Sequence, residues 1–274
     1  MRWITLLGLC LAALARPASP IGYETVRAGR ATYHVVKADL SSPRIEAAVV
    51  SAPKLVSIWQ LVSGQRAVAA VTGTFFDPRS QRPVADVFSN GVLKASGNRA
   101  TLVGFDLFGA VQIRDVPFGK PVDWSEFRHG LRGAVRVVTK GRVRPDPRAQ
   151  RFRDSRIWGR AARTGLGVTK SGKLVLIATS QKVYLRELGA AMVKAGVREG
   201  VALDGGGSTA LYYRGQLVAR PSRKLSNLVM VRVKDPSFAD LLRQVRPAPK
   251  ANAKPKSGGT VKRVAAKTRG SARR

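Results

Sequence analysis

Apolar residues along this chain fall mostly in short runs, many with the period of two that half-buried strands show. ATYHVVKADL (31–40) and IEAAVVSA (45–52) mix β-branched residues with alternation and predict strands. AVAAVTGTFF (67–76) is a continuous apolar run that ends in aromatics and then Asp77-Pro78, which predicts a buried strand opening into a loop. VFSNGVLKAS (87–96) places Asn90-Gly91 between apolar runs, the sequence of a tight hairpin. Further hairpins are expected near Phe108-Gly109, Lys140-Gly141, Ser171-Gly172 and Arg214-Gly215, and SNLVMVRV (226–233) reads as a last strand. One stretch changes period. Leu185, Leu188, Met192 and Val193 recur at helical spacing between Tyr184 and Ala195, with Gly196 placed to end the helix. Residues 145–163 are rich in arginine with little periodicity and are expected to form a long surface loop.

No fixed-period repeat and no linker interrupts residues 22–235. The pattern therefore predicts one α+β domain with a mixed, mostly antiparallel sheet and few helices.

Three stretches put polar residues or glycines at the end of an apolar strand, where a rigid scaffold presents functional groups. They are Thr72-Gly73-Thr74-Phe75-Phe76-Asp77, Arg163-Thr164-Gly165, and Asp204-Gly205-Gly206-Gly207-Ser208-Thr209. Each has a plain structural alternative. Asp77 before Pro78 is a common turn opener, and Asp204 could bind its own backbone in an Asx turn. Thr72 and Thr164 are good strand residues. Arg163 could be a solvated charge, and Glu187 a first-turn acid favoured by the helix dipole.

Composition narrows the chemistry. The formal charge is +33, with 49 Lys and Arg against 16 Asp and Glu. Such a surface favours phosphate-rich or otherwise anionic partners. Cys10 is the only cysteine, and it lies in an apolar run from Trp3 to Ala15 that ends in small residues. That run is shorter than the ~20 residues of a spanning helix. It predicts a secretory signal over residues 1–15 and a periplasmic or secreted protein. The mature chain then has no thiol nucleophile, and with only His34 and His129 a zinc site is disfavoured. Residues 246–274 contain no acid and predict a disordered basic tail, read either as a tether to an anionic envelope surface or as a solubilising end. The sequence has no Walker-type phosphate loop, no dinucleotide-binding glycine spacing and no serine-hydrolase elbow. Nucleic-acid binding, which the charge alone would allow, is disfavoured by the signal segment and by the lack of an aromatic-rich basic motif.

The order of the motifs resembles a known family. VTGTFFDPRSQRPVADVFSNGVLKAS is similar to the "NGGFFD…G…SNG" opening of the phosphodiester glycosidase family. AVRVVTKGRV, RTGLGVTKSGKLVLIAT, YLRELGAAMVKAGVREGVALDGGGSTALYYRGQLVARPS and SNLVMV resemble that family's later blocks in the same order, over about residues 67–233. Thr72 stands where the family pattern has asparagine, and Thr74 where it has a second glycine.

The resemblance implies hydrolysis of the bond between a sugar's anomeric carbon and a phosphodiester oxygen. The implied catalytic residues are Asp204, Asp77, Glu187 and Arg163. The implied substrate-binding residues are Thr72, Gly73, Thr164, Gly205, Gly206, Gly207, Ser208 and Thr209. Which carboxylate attacks or activates water stays open at this level. Calcium or magnesium would suit carboxylates and carbonyls at loop ends, but the sequence shows no dedicated ligand cluster. A non-catalytic polysaccharide-binding module of the same fold is the alternative.

Overall fold

The computed structural model describes residues 19–97 and 100–234. By internal contacts the chain divides into residues 1–234 and 235–274, and the second part lies wholly outside the described residues. The expected signal, 1–15, and the expected basic tail, 246–274, also lie outside them. No helix among the described residues is long and apolar enough to cross a membrane.

The elements run in order β1 (Ile21–Ala28), β2 (Ala31–Ala38), β3 (Ile45–Val56), α1 (Ile58–Val62), β4 (Ala67–Thr72), β5 (Val87–Ser89), β6 (Val92–Ala95), β7 (Thr101–Phe105) and β8 (Val111–Asp115). They continue with β9 (His129–Thr139), β10 (Arg142–Val143), α2 (Ser155–Trp158), β11 (Ala161–Thr169), β12 (Leu174–Val183), α3 (Leu185–Lys194) and β13 (Val197–Ala202). A 3₁₀ turn at Gly206–Ser208 precedes β14 (Leu211–Tyr213), β15 (Gln216–Ala219) and β16 (Leu225–Val233).

These strands build two sheets. One has the order β1-β2-β12-β11-β13-β9-β5-β6, with β10 and the β7–β8 hairpin attached through β9. The other has the order β15-β14-β4-β16-β3. Every pairing between the named strands is antiparallel. The α+β domain of mostly antiparallel strands with few helices is what the pattern predicted.

Alternation decides the layers. Val36, Leu166, Leu176 and Val201 from the larger sheet meet Val49, Val71, Leu211 and Val229 from the smaller one in a shared core. Their strand neighbours point outward and are covered by helices. Val35, Ile177 and Ala202 pack under Leu185, Leu188, Ala191 and Met192 of α3. Ala48, Ala70, Leu228 and Met230 pack under Ile58, Leu61 and Val62 of α1. Burial of each such large apolar side chain contributes about 1.5–3 kcal/mol. This two-sided burial is why 67–71 reads as an unbroken apolar run.

Local turn chemistry sets the registers. Asn90 and Gly91 have φ of 51° and 78°, Lys140 and Gly141 50° and 73°, and Arg214 and Gly215 45° and 86°. Positive φ at both central residues is the mark of a type I′ hairpin turn, whose twist suits the flanking strands. Helix α3 ends at Lys194 with Ala195 as its C-terminal cap, followed by Gly196 at φ 92°.

Two expectations need correction. Residues 145–163 are not simply a surface loop. They hold α2, the start of β11 and the buried Phe152, whose ring lies 5.8 Å from that of Phe75. Strand β1 was not predicted because it lies at a sheet edge and four successive positions, Gly22 to Thr25, are exposed, which erases the alternation.

Candidate functional site

Three strand ends meet at one place. The N–H of Leu203 donates to Thr164 O at 3.1 Å, and that of Asp204 to Gly73 O at 3.0 Å. The residues following β4, those opening β11 and those following β13 are thereby joined. The Thr164 hydroxyl donates to the main-chain carbonyl of Asp204 at 2.6 Å. The Thr72 hydroxyl donates to Ser208 O and accepts from Ala210 N–H. Both threonines are buried and spend their side chains on the backbone of the glycine loop.

Asn227 of β16 clamps the third strand end. Its Oδ1 accepts from Thr74 N–H at 2.8 Å and its Nδ2 donates to Thr74 O at 3.2 Å. Gly73 must be glycine under this clamp, since a Cβ there would lie 1.9 Å from Asn227 Oδ1. The glycines of the loop answer different demands. Gly205 passes so close to β11 that a Cβ would lie 2.6 Å from Ala162 O, whereas Gly206 has φ 58° and open space around it. A Cβ on Gly207 would press on Ser222 Oγ at 2.9 Å.

Beside this junction lies a cavity of about 360 Å³. Asp204 and the three loop glycines form one wall, with Arg163 and Arg223 beside them. Phe75, Phe76 and Phe152 supply an apolar face, and Arg153, Asp154 and Arg156 close another side. Asp204 is only 6% exposed. Burial raises its carboxyl from the ordinary range to about 6, against the Ser208 hydroxyl, the Arg223 guanidinium and the Gly205 amide, which all pull it down. It therefore changes charge near neutral pH, as a working acid or base needs to.

The second carboxylate of the cavity behaves oppositely. Asp154 caps α2 by accepting from Arg156 N–H at 2.9 Å, and it binds the Arg156 guanidinium through both oxygens, at 2.6 Å and 3.0 Å. The Arg156 side chain holds the Asp154 carboxyl below the usual range. Two carboxylates at one cavity are thus pushed apart, the arrangement that separates acid–base roles.

The remaining expected residues distribute unevenly. Arg163 lines the cavity but is buried and largely occupied. Its Nη2 donates to the carbonyls of Ile157 at 2.9 Å, of Arg156 and of Gly159, and its Nε to Val183 O at 3.3 Å. It thus anchors the segment carrying α2 and Arg156, and burial lowers its basicity. Asp77 sits at the rim, flanked by the cavity residues Phe76 and Pro78, and its carboxylate accepts from Arg79 N–H at 2.8 Å in its own turn. Ser208 is fully buried and accepts from Arg223 Nε at 2.6 Å, while Thr209 Oγ1 is buried with no hydrogen-bond partner among the described residues.

Glu187 is not brought to this place. It lines a different depression, with Trp158 and Tyr184, and its Oε2 accepts from Tyr184 N–H at 2.8 Å as a helix cap. No cluster of three or more metal-ligating side chains occurs among the described residues.

Sequence reasoning missed Arg223, Asp154, Arg156 and Asn227. Three of them sit among many arginines or in the aperiodic stretch, so no local contrast marked them. Asn227 carried a faint signal, as a polar residue inside the apolar run of β16.

The fold and site define a two-sheet α+β domain that gathers a tunable carboxylate, cations and glycine amides at joined strand ends. Residues 65–232 match the family model described as phosphodiester glycosidase, and the chain belongs to that family. No curated protein matches it in sequence.

Solved structures share the fold. The zebrafish N-acetylglucosamine-1-phosphodiester alpha-N-acetylglucosaminidase catalytic domain, auto-inhibited by its pro-peptide, is 17% identical, with a TM-score of 0.65 over 81% of this chain and 86% of that one. A hypothetical protein from Synechocystis is 16% identical, with a TM-score of 0.63 over 78% and 62%. A putative exported protein from Burkholderia pseudomallei is 14% identical, with a TM-score of 0.53 over 73% and 74%.

Proposed function

We propose that this protein is an exported hydrolase that cleaves the sugar–phosphate bond of a glycosyl-1-phosphodiester in envelope or exopolysaccharide metabolism. The observation that carries this reading is Asp204. It is a buried carboxylate poised near neutrality, on a glycine loop, in a cavity that also presents arginines.

A phosphate leaves well once its charge is stabilised, so little is asked of a general acid. The demand falls on the sugar side, where positive charge develops in an oxocarbenium-like transition state. Ionised Asp204 supports that charge and takes a proton from water as the water oxygen bonds to the anomeric carbon. The bond from that carbon to the phosphodiester oxygen breaks, and its electron pair leaves with the phosphate. The glycine loop, on the same cavity wall as Asp204, is the element that offers main-chain donors to the departing charge. The aromatic face, Phe75, Phe76 and Phe152, offers an apolar surface to the sugar or aglycone.

The roles of the other residues follow their contacts. Thr72, Thr164 and Gly73 shape the loop. Arg163 anchors the α2 segment and has Nη1 left without a partner among the described residues. Asp77 holds its own turn beside the cavity residues Phe76 and Pro78, and Glu187 takes no part. Export would remove the segment ending near Ala15, which mass analysis of the mature protein can check, and the basic tail would hold the enzyme at an anionic surface.

The test is sugar release from a panel of sugar-1-phosphodiesters by the wild type and by Asp204→Asn. Loss of general acid–base help alone is worth about 10²–10⁴ in rate. A folded variant within about threefold of wild type, far short of that loss, removes Asp204 from the mechanism. One observation favours the non-catalytic reading. The Thr72 hydroxyl, standing where the family pattern has asparagine, is consumed by the loop backbone and offers nothing to a ligand. A wild type that binds such sugars without releasing them would establish that alternative.

A further inference from the structure

Arg223 makes three contacts at once. Its Nε donates to Ser208 Oγ at 2.6 Å, and its Nη2 stands 3.4 Å from Asp204 Oδ2. Its guanidinium carbon lies 4.7 Å from the centre of the Phe76 ring. A planar guanidinium can do this because its edge donates while its face stacks. Ser208 accepts from Arg223, which leaves the Ser208 hydroxyl hydrogen for the Asp204 carboxylate. The segment carrying Arg223 is itself tied to the glycine loop, since Ser222 N–H donates to Gly207 O at 2.9 Å.

The other charged groups at the cavity are committed elsewhere or make no contact with this carboxylate. Asp154 and Arg156 pair with each other, Arg156 acting on Asp204 only as a weaker charge without contact, and Arg163 is spent on main-chain carbonyls. Arg153 lines the cavity but forms no ion pair with Asp204. Among the described residues, the guanidinium that meets Asp204 is that of Arg223.

We infer that Arg223 is a positioning residue for this reaction: it fixes Asp204 and Ser208 relative to each other and holds Asp204 in its ionised, working form. Phe76 keeps the guanidinium plane from swinging away. The inference rests on the proposed role of Asp204 and adds the residue that sets its charge. Lysine is a poor replacement, because a single ammonium cannot bridge the serine and the carboxylate while stacking on the ring.

The experiment follows the Asp204 carboxyl carbon by NMR through a pH titration in wild type, Arg223→Met and Arg223→Lys, with Asp204→Asn to assign the signal. The pH profile of sugar-1-phosphodiester turnover is measured alongside. Removing an opposite charge at this range moves a carboxyl by about one unit or more. Arg223→Met is therefore expected to titrate higher by about that much. The acid limb of kcat should move with it, and turnover should partly recover at high pH. Arg223→Lys should restore most of the titration but not the full kcat.

An Asp204 midpoint unchanged in folded Arg223→Met overturns the inference, even if the melting temperature falls. If the wild type releases no sugar from any phosphodiester, the proposed function fails, and the titration still decides the role of Arg223.

Discussion

The hydroxyl of Thr164 donates to the main-chain carbonyl of Asp204 at 2.6 Å, across a sequence separation of 40 residues. Neither group can turn to water, because Thr164 is fully buried and Asp204 nearly so. The bond joins the opening of β11 to the loop after β13 and so sets where the Asp204 carboxyl points. Thr164→Val keeps the shape and removes the donor. The orphaned carbonyl should cost about 1–3 kcal/mol in urea unfolding. Turnover should fall as well, because the carboxyl loses its registration. Stability and turnover both at wild-type values would show that the bond does not position the loop.

The charge state of Asp204 links stability to pH. Its folded pKa is about 6, raised from the ordinary 3.8. The native state therefore holds this proton more tightly than the unfolded chain does. The stabilisation is complete below about 4, fades as pH rises, and is lost above about 6, amounting to roughly 3 kcal/mol at 1.36 kcal/mol per unit. Asp204→Asn removes this dependence. The variant should be the more stable protein at pH 7 and nearly equal to wild type at pH 4, as read by thermal melts at both values.

Catalysis should run the other way with pH. If the carboxylate is the working form, kcat on a sugar-1-phosphodiester rises through about 6, where Asp204 ionises. A profile that falls through the same range would assign Asp204 the role of acid instead.

The loop glycines separate packing from backbone conformation. Gly206→Ala meets no neighbour but must adopt φ 58°. It should lose about 1 kcal/mol of stability and keep most of its turnover. Gly205→Ala drives a methyl to 2.6 Å from Ala162 O on β11, so the loop must move. Its turnover should drop far more than its melting temperature predicts. Equal losses in the two variants would mean that the loop has no fixed shape to protect.

Glu187→Gln is a control. Glutamine can keep the cap to Tyr184 N–H that Glu187 makes at 2.8 Å. Melting temperature and turnover should both stay near wild type. A large loss of turnover in a folded variant would return Glu187 to the mechanism.

Much of the fold was legible in the sequence because it is encoded over a few residues. Asn90-Gly91, Lys140-Gly141 and Arg214-Gly215 adopt positive φ values, which the glycine of each pair and Asn90 favour, and each pins a hairpin register. The spacing of Leu185, Leu188 and Met192 identifies α3, whose buried face they form. The strands buried on both faces announce themselves as apolar runs. The edge strand β1 and the short helices α1 and α2 escaped notice, since none carries a sustained pattern.

At the candidate site the division is sharper. The sequence alone determined that Asp204 stands at the mouth of a buried strand on a glycine loop, because a carboxylate after Val201-Ala202-Leu203 has nowhere else to go. Only the tertiary structure decided which charges keep it company. Arg223 comes 19 residues later from the segment before β16, and Arg156 comes from α2 beneath the Arg163 anchor. In a chain with 49 basic residues, one arginine looks like another. What distinguishes them is the cavity wall at which each guanidinium ends, and that wall exists only once the strand ends of both sheets have come together.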